Sequence, residues 1–279
     1  MAKVEKKALN WVLFVILVLV ACFVIMPIVI VLLNSFKSKL FISTEPFKLP
    51  SSDTFVGLTN YTRGLVSIGF FNAFKWSLWI TVSSVICILL FTSMLAWYIT
   101  RVKGKITTLI YFSLTFSMIV PFQMVMFTMS KFANLIHLDN PFGIIVLYVG
   151  FGCGMSSFMF SGFIKSIPLA LEEAAMIDGA GPVKTFFWVV MPMLKSTAIT
   201  IAILQTMWVW NDYLLPYLTL GSEHRTIPVA IQYLRGGYGS VDMGAMMAML
   251  VLAMLPVIVF FISCQKYIIK GVLSGAVKG

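Results

Sequence analysis

The run Trp11-Val-Leu-Phe-Val-Ile-Leu-Val-Leu-Val-Ala-Cys-Phe-Val-Ile-Met-Pro-Ile-Val-Ile-Val-Leu-Leu33 contains no charged residue. A helix needs about 20 mostly apolar residues to cross the hydrocarbon core of a bilayer. Lys3, Lys6 and Lys7 precede the run, as in a secretory signal. The run is too long for a signal core and no small-x-small cleavage site closes it, so it reads as an anchor kept in the mature chain. Working outward, five more runs have the same character: residues 74–99, 106–129, 141–163, 198–220 and 245–267. With 11–33 they predict an all-α integral membrane protein, with six transmembrane helices in one domain over 1–279. Pro27, Pro121, Pro216 and Pro256 fall inside these runs, where membrane helices tolerate proline and kink.

Composition supports this class. The 279 residues are 60% hydrophobic and 11% charged, against about 25% charged in a soluble domain. That apolar surplus does not fit inside one soluble core. The net charge of +10 raises nucleic acid as a partner. The bases, however, sit in short clusters at the ends of apolar runs, which is the pattern of orientation in a membrane. Lys3, Lys6, Lys7, Arg101, Lys103, Lys105, Lys165, Lys184, Lys195, Lys266, Lys270 and Lys278 fall on one side of the six spans, twelve of the 20 bases. The bias places both termini in the cytoplasm.

Enzyme chemistry is not indicated. Cys22, Cys87, Cys153 and Cys264 lie in apolar stretches with no CxxC or Cys/His neighbourhood, so neither a zinc site nor a disulfide framework is expected. His137 and His224 are unpaired in sequence and receive no ligand role. No G-x-x-x-x-G-K-[ST] loop and no nucleophile–base constellation occurs. Catalytic and metal-ligating residues are therefore both assigned as none.

The most informative connection is the cytoplasmic one, residues 165–196. Ser166 is a plausible helix N-cap with Pro168 just inside the helix start. Gly179 and Gly181 stop that helix. Pro182 opens a second one through Lys184, Phe186, Phe187 and Val190, and Pro192 punctuates its end. The expected unit is a helix–turn–helix. Leu171, Ala174, Ala175 and Asp178 share a face at three- and four-residue spacings. Small alanines admit a close partner, and such a helix suits a groove on a cytoplasmic protein. The same loop could instead pack only against the ends of its own spans.

Glu173-Ala174-Ala175, Gly179 and then Val189-x-Met191-Pro192 resemble the EAA signature of ABC-importer permeases, whose usual form ends Ile-x-Leu-Pro. Val189 and Met191 are conservative departures. The likeness extends over nearly the whole chain: Asn34-Ser-Phe-Lys37, Gly57-Leu-Thr-Asn-Tyr61, Trp210-Asn-Asp-Tyr213 with Pro216, and the tail Gly271–Gly279 are similar to carbohydrate-type permeases. Six spans without a large added domain resemble the shorter permease of maltose- and raffinose-type importers.

The resemblance implies a permease subunit in the cell membrane carrying a sugar or oligosaccharide. The implied partners are a second permease subunit, a dimer of ATP-binding subunits and an extracytoplasmic solute-binding protein. ATP and Mg would be bound by the partner ATPase, and no cofactor by this chain. Glu173, Ala174, Ala175 and Gly179 would form the coupling contact, flanked by Glu172 and Asp178, with Pro192 closing the motif. The same machinery could carry a polyol or glycerol phosphate, and a non-transporting sensor subunit is the reading from another class.

Asp212 with Asn211, Trp208, Trp210 and Tyr213 combines hydrogen-bonding groups and aromatic faces, as sugars require, and intramembrane acids mark functional sites. Asp212 could equally cap a broken helix near Pro216 or pair with another helix, and the tryptophans could form an interfacial belt. Gln123, among Met118, Met124, Met126 and Met129, is a further path candidate; packing is the plainer role. Gly236, Gly237, Tyr238 and Gly239 lie in a loop that resembles the one reaching into the binding protein of maltose-type systems.

Overall fold

The computed structural model describes the backbone of residues 2–234 and 241–276 and the side chains of residues 9–234 and 241–267. The helices are α1 (Ala2–Asn34), α2 (Lys39–Thr44), α3 (Thr59–Ser67), α4 (Phe70–Arg101), α5 (Lys105–Ser117), α6 (Phe122–Leu135), α7 (Gly143–Ile164), α8 (Leu169–Ile177), α9 (Pro182–Thr185), α10 (Met191–Met193), α11 (Lys195–Asn211), α12 (Leu214–Thr219), α13 (Ile227–Gln232) and α14 (Met243–Ala276). A π-helical turn, Phe186–Val190, joins α9 to α10.

Among the described residues, four helices are long and apolar enough to cross a membrane: Leu9–Asn34, Phe70–Arg101, Gly143–Ile164 and Met243–Tyr267. Two sharply bent pairs bring the number to six if each counts as one span. The run expected at 106–129 is one of these pairs. It is α5 followed by α6, bent by 110°, with Pro121 as the N-cap of α6. Proline cannot continue the helical ladder of α5. The end of α5 is also pressed onto Gly154 of α7, where a Cβ would come within 2.7 Å of Leu114 O and Ser117 Oγ. The run expected at 198–220 is likewise broken, because α11 ends at Asn211 and α12 begins only at Leu214.

Contacts group the chain into two compact units, Met1–Phe70 with Ala230–Pro256 and Phe71–Val229 with Val257–Gly279. In the first unit, α1 exposes every apolar side chain from Leu9 to Val29. A helix apolar on all sides and unburied takes lipid as its solvent.

The segment after α1 is held by polar groups. Asn60 is 2% exposed and its Nδ2 donates to Ser35 O at 2.9 Å and Lys37 O at 2.8 Å. Ser35 Oγ and the Tyr61 hydroxyl lie 2.7 Å apart. Lys37, 1% exposed, donates from Nζ to Glu45 O at 2.9 Å. The Phe36 ring packs on Phe55 and Tyr61. Gly244 meets Asn60 so closely that a Cβ there would overlap its side chain. Arg63 pairs with Asp242 at 3.1 Å, and Asp242 Oδ1 accepts from Ala245 N in the first turn of α14. The two sequence motifs Asn34–Lys37 and Gly57–Tyr61 are thus halves of one hydrogen-bonded knot.

The second unit has two apolar clusters. One joins α4, α7, the 165–196 loop and α11 through Ala96, Phe160, Ile164, Phe186, Val190, Leu194 and Ile201. The other joins α4, α7, α11 and α12 through Ile80, Ile88, Ile144, Tyr148, Val209 and Leu215. Between α7 and α11, Gln205 Nε2 donates to Ser156 Oγ at 3.0 Å, a polar tie of the kind that joins helices in lipid.

Candidate functional site: the 165–196 loop and the broken span

The loop starts differently from its sequence expectation. Ser166 does not cap α8. Its Oγ donates to Phe163 O at 2.7 Å, so it serves the end of α7. Pro168 occupies the N-cap position, outside the helix, and α8 begins at Leu169. The stop is as the glycine pattern requires. Gly179 has φ +84°, a left-handed backbone that glycine adopts without a Cβ penalty. Ala180 N donates to Ala175 O at 2.9 Å and Gly179 N to Met176 O at 3.0 Å, which together make a Schellman turn. The chain re-enters helix at Pro182, whose missing N–H costs nothing in a first turn. That helix continues through Pro192 to Met193 and then bends by 78° into α11.

The two sides of the loop differ in chemistry. On the inner side Glu172 is 1% exposed. Its Oε1 accepts from Arg101 Nε at 2.9 Å and Arg101 Nη2 at 2.7 Å, and its Oε2 from Trp97 Nε1 at 2.9 Å. The second Arg101 contact of Nη2, to Ile167 O at 3.0 Å, ties the loop entry to the same guanidinium. A two-donor arginine contact is directional, so this clamp fixes α8 on the end of α4. Trp97 also packs on Phe186, with ring centroids 5.5 Å apart. Glu172 is therefore turned away from the side on which Glu173 is exposed. Arg101 and Trp97 are the residues that spacing alone does not reveal. Arg101 reads as one more charge beside Lys103 and Lys105.

The outer side is open. Glu173, Ala174, Asp178 and Gly179 are exposed and Ala175 is half-buried. Ile177 and Trp188 are 85% and 81% exposed. A hollow of about 350 Å³ lies between α8 and the following helix, with Ala175, Asp178, Lys184 and Trp188 in its wall. Neither arrangement foreseen for this loop excludes the other: the inner side packs on the spans while the outer side presents small, acidic and apolar groups. Pro192 is exposed, two residues before the bend.

At the broken span, Asp212 does both structural jobs open to it. Its Oδ1 accepts from Leu214 N at 3.0 Å, capping α12, and its Oδ2 accepts from the Tyr148 hydroxyl at 3.0 Å. Tyr148 is fully buried on α7, and Trp208 meets its ring edge-on at 5.4 Å. Tyr213 stacks on Tyr217 at 5.1 Å. Trp210 is buried against Phe74. Asn211 is exposed, its Nδ2 returned to Met207 O. Gln123 is exposed at the start of α6, with Met124 76% exposed beside it and Met129 packed inward. So Asp212, Tyr148 and Trp208 meet, while Asn211 and Gln123 are not part of that group. Gly236, Gly237, Tyr238 and Gly239 lie outside the described residues.

Comparison with known proteins agrees with this architecture. The probable starch degradation products transport system permease protein AmyC of Thermoanaerobacterium thermosulfurigenes is 38% identical over 91% of this chain and 92% of its own. The multiple sugar-binding transport system permease protein MsmG of Streptococcus mutans is 33% identical over the whole of both chains. In fold, the chain is similar to a chain of a bacterial ABC transporter involved in the import of the acidic polysaccharide alginate. The TM-score is 0.79 at 24% identity, covering 94% of this chain and 97% of that one. Residues 88–274, from α4 through α14 with the whole 165–196 loop, match the binding-protein-dependent transport system inner membrane component. The chain belongs to that family of membrane transport components.

Proposed function

We propose that this chain is one permease subunit of an ATP-driven importer that passes a sugar or oligosaccharide from an extracytoplasmic binding protein into the cell. It works as half of a pair with a second permease, on a dimer of ATP-binding subunits that carry the ATP and Mg. Both termini and the 165–196 loop lie in the cytoplasm, in keeping with the distribution of Lys and Arg. The names of the relatives support sugar as the cargo class. The chain itself does no covalent chemistry in this reading.

One observation carries the mechanism: α8 is clamped to α4 by one face and free on the other. Glu173, Ala174, Ala175, Asp178 and Gly179 form the docking face, joined by Ile177 and Trp188. The Glu172–Arg101–Trp97 clamp and the Phe186–Val190–Leu194 packing make the loop and the ends of α4, α7 and α11 move together. Closure of the ATP-binding subunits then shifts the docked helix, and the spans follow as rigid elements. Coupling comes from the difference in docking free energy between the two states. In the path, Asp212 holds the break in the fifth span and Trp208 offers an exposed aromatic edge.

The test is ATP-dependent uptake of labelled oligosaccharides by vesicles containing this chain, its partner permease, the ATPase and the binding protein, with Glu173→Lys as control. Uptake of one sugar class that the control abolishes is the expected result. ATP hydrolysis by the assembled complex with no movement of any sugar would remove the cargo assignment.

A further inference from the structure

Where α4 ends and α5 begins, against the last turns of α7, there is a cavity of about 460 Å³. That is within the range of about 300–1,000 Å³ typical of small-molecule sites. Its wall has two chemistries. Lys103 and Lys165 stand on it, and no carboxylate is among the lining residues. Lys165 Nζ lies 5.6 Å from the centre of the Tyr111 ring, which holds that ammonium against the wall. Ser161, also in the wall, is 1% exposed, yet its Oγ has no hydrogen-bond partner. A buried hydroxyl left unpaired is costly, and a ligand acceptor would relieve that cost. The start of α5 adds its first N–H groups. The Thr107 and Thr108 hydroxyls turn back to Gly104 O and leave those donors uncapped. Also in the wall, Val102 and Phe112 are 43% and 63% exposed and add apolar surface.

Cationic donors, an orphan hydroxyl and an apolar face in one cavity match an amphiphilic anion. We propose that this cavity binds an anionic glycerophospholipid. The phosphate sits among Lys103, Lys165 and Ser161 Oγ, and an acyl chain runs along Val102 and Phe112. The cavity lies at the end of the 32-residue apolar helix α4, which in the membrane-embedded reading is where headgroups begin. Free phosphate would use the same donors and leave the apolar face bare. The inference rests on the membrane-embedded reading of the chain and is independent of its cargo.

The experiment is a native mass-spectrometric titration of the purified full chain in neutral detergent. The probes are phosphatidylglycerol, phosphatidylcholine of the same acyl chains, and inorganic phosphate. Each lysine near a headgroup is worth about fivefold, so phosphatidylglycerol is expected to bind roughly 25-fold more tightly than phosphatidylcholine. Lys103→Gln combined with Lys165→Gln brings the two lipids level. Ser161→Ala weakens phosphatidylglycerol severalfold with helix content unchanged. Lys131→Gln combined with Lys195→Gln, outside the cavity, leaves the preference in place. Equal affinity for the two lipids in the wild-type chain overturns the proposal, as does a preference that survives the double cavity variant. Binding of inorganic phosphate without a phosphatidylglycerol preference assigns the cavity to a soluble anion and overturns the lipid. Because the readout is lipid bound to this chain, its failure leaves the uptake result standing, and the reverse also holds.

Discussion

The knot around Asn60 and the loop around α8 are both built from short motifs, and they use their polar groups in opposite ways. In the knot, Ser35, Lys37 and Asn60 are all buried and bonded within the unit. In the loop a single acid, Glu172, is turned inward and bonded, while its neighbour Glu173 is left exposed. A short motif in this chain can therefore do one of two things: close the chain on itself, or leave a surface open. Burial tells the two apart, and each substitution below breaks one side or sharpens the line between them.

Glu172→Ala should have the largest effect on the fold. It strands the Arg101 guanidinium and Trp97 Nε1, and breaking a buried ion pair costs about 3 kcal/mol. Thermal unfolding of the purified chain should show the loss, and limited proteolysis should cut within 165–196 far faster. Asn60→Ala should follow at about 2 kcal/mol, because two backbone carbonyls, Ser35 O and Lys37 O, lose their donor. Proteolysis in the 165–196 loop should be unchanged in that variant. Gly179→Ala should cost about 1 kcal/mol from its left-handed backbone alone, since a Cβ there meets nothing within 4 Å. Ile177→Ser combined with Trp188→Ser should shift stability by no more than about 0.5 kcal/mol, as exposed positions do. The same pair should sharply reduce ATP-dependent uptake. If its melting point falls as far as that of Glu172→Ala, the outer side of the loop is structural and the contrast collapses.

Much of this was legible in the residues. Apolar runs located, to within a few residues, the four described helices that are long and apolar enough to cross a membrane, because a helix satisfies its own backbone in lipid and little else can. Gly179 announced its turn because the Schellman geometry depends on a local backbone angle. The misreadings arose where a bonding partner outside the pattern decides. Ser166 had the chemistry of an N-cap, but its hydroxyl donates to the Phe163 carbonyl instead. Pro121 marked a kink in the third run, where the structure has a 110° bend between α5 and α6. Glu172 and Glu173 differ by one step around a helix, and the partners that hold Glu172 inward, Arg101 and Trp97, lie 71 and 75 positions away. Asp212 stayed ambiguous in sequence because its partner, Tyr148, belongs to another span.

The π turn at Phe186–Val190 gives the loop a length requirement as well as a composition. Such a turn carries one residue more than α-helical spacing calls for. Losing a single codon from this stretch would let the segment relax to regular α-helix. That would rotate Pro182–Thr185 by about 100° about the helix axis relative to Met191–Met193 and draw it roughly 1.5 Å closer. With the gap at a residue other than Trp188, every exposed side chain on the outer side of the loop would survive, yet the two halves of that surface would face different directions. A one-residue gap here is thus a change of shape written in length alone, which a scan for altered residue types would pass over.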